Sequence, residues 1–382
     1  MSAVALVIAI NFTAFTGVLA SRIMISLHAL SLGANAATVG GILATMFIFP
    51  VLLSWPTGVL AERYGAQRLL LVGVGAGGLG MAIPFFLPSL ASLYAAAILL
   101  GLAITTVSVT GQNLVGVLST PENRTRNFAN YSLAGSLTSF IGPLLGGFSQ
   151  DHLGQVNACL SAVAVFALAA SGLLYWGGRL PKGDSKRAER LNLFRTLADR
   201  RLWPVLIVSS LSQVANDVFQ AFVPIHGHAM GLSASVIGIV MATFAAGSFL
   251  VRIWLTQLVK KAGSEARLLS IAFFFAAVAY VMVPLAPEAV TLAIVGFCFG
   301  GALGCIQPLT LLYMFATAQE GRAGEAIGLR LTINNIARIL TPALFGLIGA
   351  AAGLATVFWC TAALMGLGGA TARAKAAQSS SR

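Results

Sequence analysis

Charge is what this chain has least of. Only 9% of its 382 residues are Asp, Glu, Lys or Arg, against about 25% in a soluble domain, so there is too little charge to clothe a water-facing surface. Acids are scarcer than bases, 11 against 23. Cysteine is sparse too: Cys159, Cys298, Cys305 and Cys360 all lie in apolar stretches at no metal-ligand spacing, and read as small core residues. The chain contains no HExxH, no Cys/His zinc spacing and no GxxxxGK[ST] phosphate loop. That removes the usual signatures of metalloenzymes and of ATP-driven pumps. No cofactor and no metal is expected.

What is present is apolar length. Hydrophobic residues make up 58% of the chain, and its mean hydropathy is +0.89. Cutting at glycine, proline and charge clusters leaves twelve apolar segments, near 3–31, 35–61, 69–88, 91–118, 127–150, 155–177, 203–229, 234–259, 268–286, 289–318, 327–351 and 354–371. Each approaches or exceeds the roughly 20 residues a helix needs to cross the hydrocarbon. The first segment lacks a basic start and runs past 25 residues, so it is expected to be a retained span and not a secretory signal. The expected fold is an all-α integral membrane protein of twelve transmembrane helices in two pseudo-symmetric six-helix bundles. Residues 1–177 form the first bundle, 178–202 a linker loop, 203–372 the second bundle and 373–382 a tail. Faint internal repeats support the halves: GILATMF at 41–47 resembles GIVMATF at 238–244, and ERYG at 62–65 corresponds to KKAG at 260–263. Tandem halves related by an axis along the membrane normal, with a midplane site between them, are a transporter pattern.

Of the 23 basic residues, 19 fall beside one set of alternate loops and in the tail, among them the run from 179 to 201, Lys260, Lys261, Arg267 and Arg373. The opposite loops carry His28, Asp151, His152, His226, His228 and Glu288 instead. By the positive-inside rule, both termini and the linker are expected in the cytoplasm, in a bacterial inner membrane. The net charge of +12 is then topology and not a nucleic-acid footprint, which would need a clustered soluble face.

The turn after the second segment reads Gly58, Glu62, Arg63, Gly65 and Arg68, with Ala66 and Gln67 where further basic residues are usual. This resembles the signature loop of the major facilitator superfamily, and span count, loop charge and the long linker extend the likeness over the whole chain. The resemblance implies that Glu62 and Arg63 act as a gate latch, a carboxylate favouring the positive end of a helix. A second stretch, Gly142, Pro143, Gly146 and Gly147, resembles the helix-packing motif of twelve-helix proton-coupled exporters, although Ala129 and Thr138 stand where the motif has glycine. Glycine and proline there also serve plain helix packing. Ala97 stands where exporters of this type carry a proton-transfer arginine.

Four basic residues remain inside the apolar segments, Arg22, Arg252, Arg330 and Arg338, with one acid, Asp217. Charges at such depth are costly and mark substrate or ion paths. Several lie on polar stripes at helical spacing: Gln213, Asn216, Asp217 and Gln220 in the seventh segment; Arg330, Asn334 and Arg338 in the eleventh; Asn11 and Arg22 in the first. Gln112 in the fourth and Gln307 in the tenth add to the set. The third, sixth, ninth and twelfth segments are almost purely apolar, and in the family these are the peripheral helices.

Asp217 and Arg252 are therefore expected to handle a proton, because burial favours the neutral acid and a neighbouring guanidinium the carboxylate. A permanent ion pair of Asp217 with Arg252 or Arg338 is the competing reading. The arginines, whose forks suit carboxylate and phosphate, point to an anionic solute held by Arg22 and Arg338 with the neighbouring amides; Arg330 either joins them or snorkels to the surface. His28, His226 and His228 would sense external pH or rest passively in the headgroup region. The expected activity is proton-coupled export of a small organic solute by alternating access. Proton symport of an organic acid is the alternative, and a non-transporting receptor or enzyme the remote one. The expected unit is a monomer whose partners are that solute, protons and the lipid bilayer.

Overall fold

The computed structural model describes residues 2–120, 123–180, 202–317 and 323–380, with only the backbone given for some of them, Gly58, Glu62 and Arg63 included. Most of the expected linker, 181–201, lies outside the described residues. Every regular element among those described is helical: α1 (Ala3–Ser31), α2 (Ala36–Thr45), α3 (Ile48–Tyr64), α4 (Ala66–Phe86), α5 (Leu90–Val117), α6 (Arg124–Leu153), α7 (Ala158–Trp176), α8 (Trp203–Ala229), α9 (Ala234–Ile253), α10 (Leu255–Ala262), α11 (Glu265–Met282), α12 (Ala289–Thr317), α13 (Ala323–Ala352) and α14 (Leu354–Ser380). Among the described residues, eleven helical stretches are long and apolar enough to cross a membrane. The twelfth is α6, whose 30 residues reach about 45 Å but whose Asn, Ser and Thr content lowers its hydropathy.

Local chemistry explains several helix starts. Ser2, Asn35, Ser89 and Ser264 each accept a hydrogen bond from a backbone N–H of the first turn, which satisfies a donor that the helix itself leaves unpaired. Two expected spans are broken. The second splits at Met46 and Phe47 because Pro50 has no N–H to offer the Met46 carbonyl four residues back; the ladder resumes with Val51 N–H donating to Phe47 O at 3.1 Å. The eighth splits at Trp254, between α9 and α10. The last helix runs beyond the expected end of its span to Ser380.

The described residues cluster into two compact units. In the first, which takes in Met1–Glu189 and Gly231–Ala242, α1 packs on α5, α6 and α7, and α4 packs on α5 and α7. Gly142 and Gly146 let α6 lie directly on α1: a Cβ on Gly146 would stand 2.8 Å from Ala20 O. The freed Met46 carbonyl rests on Gly101 of α5, where a Cβ would come within 2.3 Å of it. Gly101→Ala is therefore expected to cost about 1–3 kcal/mol, as overpacking does, and to lower the melting temperature of the purified protein. Gly75→Ala, which meets nothing within 4 Å, should leave it unchanged or raise it.

In the second unit, α8 is central and packs on α12, α13 and α14, while α11 packs on α12 and α14. Leu202, Val205 and Leu206 of α8 meet Leu329 and Ile333 of α13 in a small buried cluster. An aromatic group, Phe219, Phe244, Tyr280, Phe299 and Phe358, fills the middle, with centroid separations from 4.7 to 6.3 Å. The apolar third and sixth helices (α4, α7) pack on each other in one unit, and the ninth and twelfth (α11, α14) do so in the other.

Candidate functional site

In the second unit the polar stripes of α8 and α13 meet as a ladder. Ser209, Gln213 and Asp217 occupy i, i+4 and i+8 on α8, and Arg330, Asn334 and Arg338 the same steps on α13, so each set lines one face. At one end, Arg330 Nε donates to Ser209 Oγ at 2.6 Å and its Nη2 to Thr310 Oγ1 at 3.3 Å. Asn334 Nδ2 lies 3.4 Å from the same Ser209 Oγ, while Asn334 Oδ1 is buried without a partner. Two turns along, Asp217 Oδ2 accepts from Gln213 Nε2 at 2.9 Å and faces Arg338 Nε at 3.9 Å.

The two charges of that pair sit in different surroundings. The Asp217 side chain is 2% exposed and that of Arg338 33%. Behind Asp217 stands Tyr280, wholly buried against Phe299 and Phe358, its hydroxyl donating to Ala215 O.

Arg252 is placed elsewhere: its Nη2 donates to Gln307 Oε1 on α12 at 3.2 Å. Arg330 is anchored to α8 and α12 hydroxyls and does not stretch toward a helix end. Asn216 and Gln220 are half-buried beside the ladder.

The first unit holds its own polar set. Asn11 Nδ2 donates to Val107 O at 3.2 Å, Gln112 Nε2 donates to Ser108 Oγ at 3.1 Å, and both amides hydrogen-bond the Tyr131 hydroxyl. Gly111 makes this meeting possible, since a Cβ there would lie 2.5 Å from Asn11 Nδ2. Arg22, 8% exposed, stands over the Phe47 ring at 5.6 Å from its centroid, a cation–π contact that the Pro50 break makes available.

Ser209, Thr310, Tyr131 and Tyr280 were not singled out from sequence. Ser209 had a usable signal, standing four residues before Gln213 on the same stripe. Tyr131 and Tyr280 had none, because their partners are 19 to 120 residues away in the chain.

The loop motif is only partly visible. Gly65 closes α3 with φ 89°, a conformation that favours glycine, and Arg68 is exposed on α4; the Gly58, Glu62 and Arg63 side chains lie outside the described set. The second motif serves packing on both faces of α6. Gly142 and Gly146 face α1, whereas Gly147 faces the first turns of α9, where its Cβ would fall 2.2 Å from Ala234 O. The backbone of Pro143 in turn lies on Gly238.

Beyond the apolar part of α6, the Asp151 carboxylate caps α9, accepting from Ala234 N–H at 2.9 Å and Ser235 N–H at 2.7 Å. Burial works to raise its pKa, hydrogen bonds from Ser235, Ser233 and Ala234 outweigh that, and the net shift is downward. A carboxylate is at home at a helix N-terminus.

His28 is buried, His226 packs edge-on to Phe358 at 5.5 Å, and His228 is exposed. No group of three or more His, Cys, Asp or Glu able to hold a metal occurs among the described residues. Of the cysteines, Cys159 and Cys305 are buried, Cys298 is intermediate and Cys360 exposed, so the last two are not core residues.

Solved transporters share this fold. The chain superimposes on the nucleoside transporter NupG with a TM-score of 0.81 at 12% identity, covering 97% of this chain and 99% of that one. A bacterial homologue of the human lysosomal transporter Spinster gives 0.76 at 15% identity over 97% and 95%. A POT family transporter in complex with 5-aminolevulinic acid gives 0.78 at 13% over 96% and 94%. The sequence model of the Major Facilitator Superfamily matches residues 1–342. With eleven membrane-length apolar helical stretches among the described residues and that match over most of its length, the chain belongs to the major facilitator superfamily of membrane transporters.

Proposed function

We propose that the protein couples the movement of a small organic anion to protons, with Asp217 carrying the proton and Arg338 and Arg330 engaging the solute during alternating access. The observation that carries this reading is the Asp217–Arg338 pair at 3.9 Å. The Arg338 guanidinium faces the Asp217 carboxylate, and a protonated Asp217 attracts it less. Arg338, already 33% exposed, can then offer its planar fork to a carboxylate or phosphate group of the solute.

This geometry bears on the direction of coupling. If protonation releases Arg338 for the anion, proton and anion bind together and travel together, which is symport. Export by antiport requires the reverse, that proton and solute exclude each other. The pair therefore favours symport of an organic acid. Antiport export remains the second reading, favoured by Gly142, Pro143, Gly146 and Gly147, whose arrangement resembles that of exporters.

Screening the purified protein by thermal shift against metabolites and drugs tests the substrate class, because a ligand that binds the folded state raises its apparent stability. Carboxylates and phosphates are expected to dominate the hits. A hit set dominated by cationic drugs would overturn the anion reading.

A further inference from the structure

We propose that the second unit carries a binding site for an anionic phospholipid, in a groove between α9, α11 and α12. The groove has a volume of about 380 Å³ and an almost wholly apolar lining. Its floor is made by small residues: Gly247 lets α9 lie against α12, where a Cβ would come within 2.1 Å of Phe297 O, and Gly301 and Ala272 leave the space above open. Its walls are large apolar side chains that the protein leaves uncovered, Trp254, Ile271, Phe275 and Phe297, each 41–53% exposed. In a membrane-spanning helix bundle, such a trench takes an acyl chain.

The class of lipid follows from what stands at one end of the trench. Arg267 lies four residues before Ile271 and eight before Phe275 on α11, so it shares the face that walls the groove. Its Nη1 donates to Ala262 O at 3.3 Å, which ties it to the end of α10. That eight-residue helix ends in exposed Lys260 and Lys261 before Gly263, whose φ of 81° turns the chain back. Leu255, Leu258 and Val259 on α10 alternate with Gln257 and the lysines in the manner of a helix lying in the headgroup layer. Trp254, on the groove wall at the start of α10, is a headgroup-level anchor. Three cations against a single acid, exposed Glu265, thus crowd the headgroup position. A basic pocket beside an acyl-chain groove selects negative lipid headgroups.

The full chain in detergent is titrated separately with phosphatidylglycerol and phosphatidylcholine, and bound lipid is counted by native mass spectrometry. Phosphatidylglycerol should bind about tenfold or more tightly than phosphatidylcholine, since each surface cation contributes severalfold. Combined Lys260→Ala, Lys261→Ala and Arg267→Ala should remove that preference and leave phosphatidylcholine binding as it was, while Arg267→Lys keeps it. Ala272→Trp, which fills the floor with the cations in place, should weaken both lipids. Equal affinity for the two lipids in the unaltered chain overturns the site. So does a preference that survives the triple substitution, or displacement of phosphatidylglycerol by millimolar inorganic phosphate, which would mark a site for a free anion with no acyl chain.

Discussion

Arg338→Gln is expected to abolish transport and to destabilise the protein more than Asp217→Asn and Arg338→Gln combined. Removing one member of a buried ion pair leaves the other uncompensated, at a cost of about 3–5 kcal/mol. Water already reaches Arg338, whose side chain is 33% exposed, so the lower end of that range applies. What Arg338→Gln deprives of its guanidinium is Asp217, 2% exposed and beside Tyr280. Asp217→Asn is milder, because the amide keeps an oxygen for Gln213 Nε2, 2.9 Å away, and Arg338 can turn to water. In the double variant the stranded charge is gone, and stability should recover to within about 1 kcal/mol of the Asp217→Asn protein. A coupling energy of about 1–3 kcal/mol in the double-mutant cycle, read from thermal or denaturant melts, is the signature of a direct pair. All three variants should fail in transport if Asp217 and Arg338 both act in it. Additive stabilities would show that the two residues do not sense each other.

Gly147→Val should produce the second large effect. A Cβ on Gly147 would stand 2.2 Å from Ala234 O and 2.9 Å from Ala234 C, both backbone atoms that cannot swing aside. The branched side chain must push α6 and the first turns of α9 apart, and Asp151, one turn further along α6, would lose its grip on the Ala234 and Ser235 amides. Overpacking of this kind costs about 1–3 kcal/mol or more, to which the lost cap adds about 1 kcal/mol. The purified variant should melt at a lower temperature and transport poorly at normal surface expression. Gly135→Val, at an α6 position where a Cβ meets nothing within 4 Å, is the control that should keep both. Normal melting of Gly147→Val would mean that α6 and α9 do not press on each other there.

The membrane character and the helix order were legible because they follow from composition and length alone. Helical periodicity also exposed the stripes: Gln213 and Asp217 on one helix and Arg330, Asn334 and Arg338 on another could be placed on faces before any contact was known. Which face meets which is a different question, since the pairing of Asp217 with Arg338 spans 121 residues of chain and no local rule sets it. Arg252 shows the consequence. Depth and charge made it a candidate partner for Asp217, yet it hydrogen-bonds Gln307, because α9 lies on α12 through Gly247, Gly300 and Gly304. Hydroxyl residues were under-read for a similar reason. Serine and threonine are common in apolar helices, where they usually bond their own backbone, as Thr310 does with Gln307 O at 2.9 Å, and only tertiary packing brings Arg330 to the Ser209 and Thr310 hydroxyls. The break at Met46 was legible in principle from Pro50. Its use, bringing Phe47 under Arg22, was not, because that contact depends on the Met46 carbonyl settling on Gly101.

Coupling of protons to an anion through Asp217 is tested most directly by transport in liposomes. The protein is reconstituted in liposomes, a pH gradient is imposed, and uptake of the best anionic ligand from the thermal screen is followed with an internal pH dye. Solute and protons should enter together down the proton gradient, and Asp217→Asn should abolish the gradient-driven accumulation while leaving ligand binding measurable. Accumulation that runs against the proton flow would establish antiport instead, and accumulation that persists in Asp217→Asn would contradict the central role given to this acid.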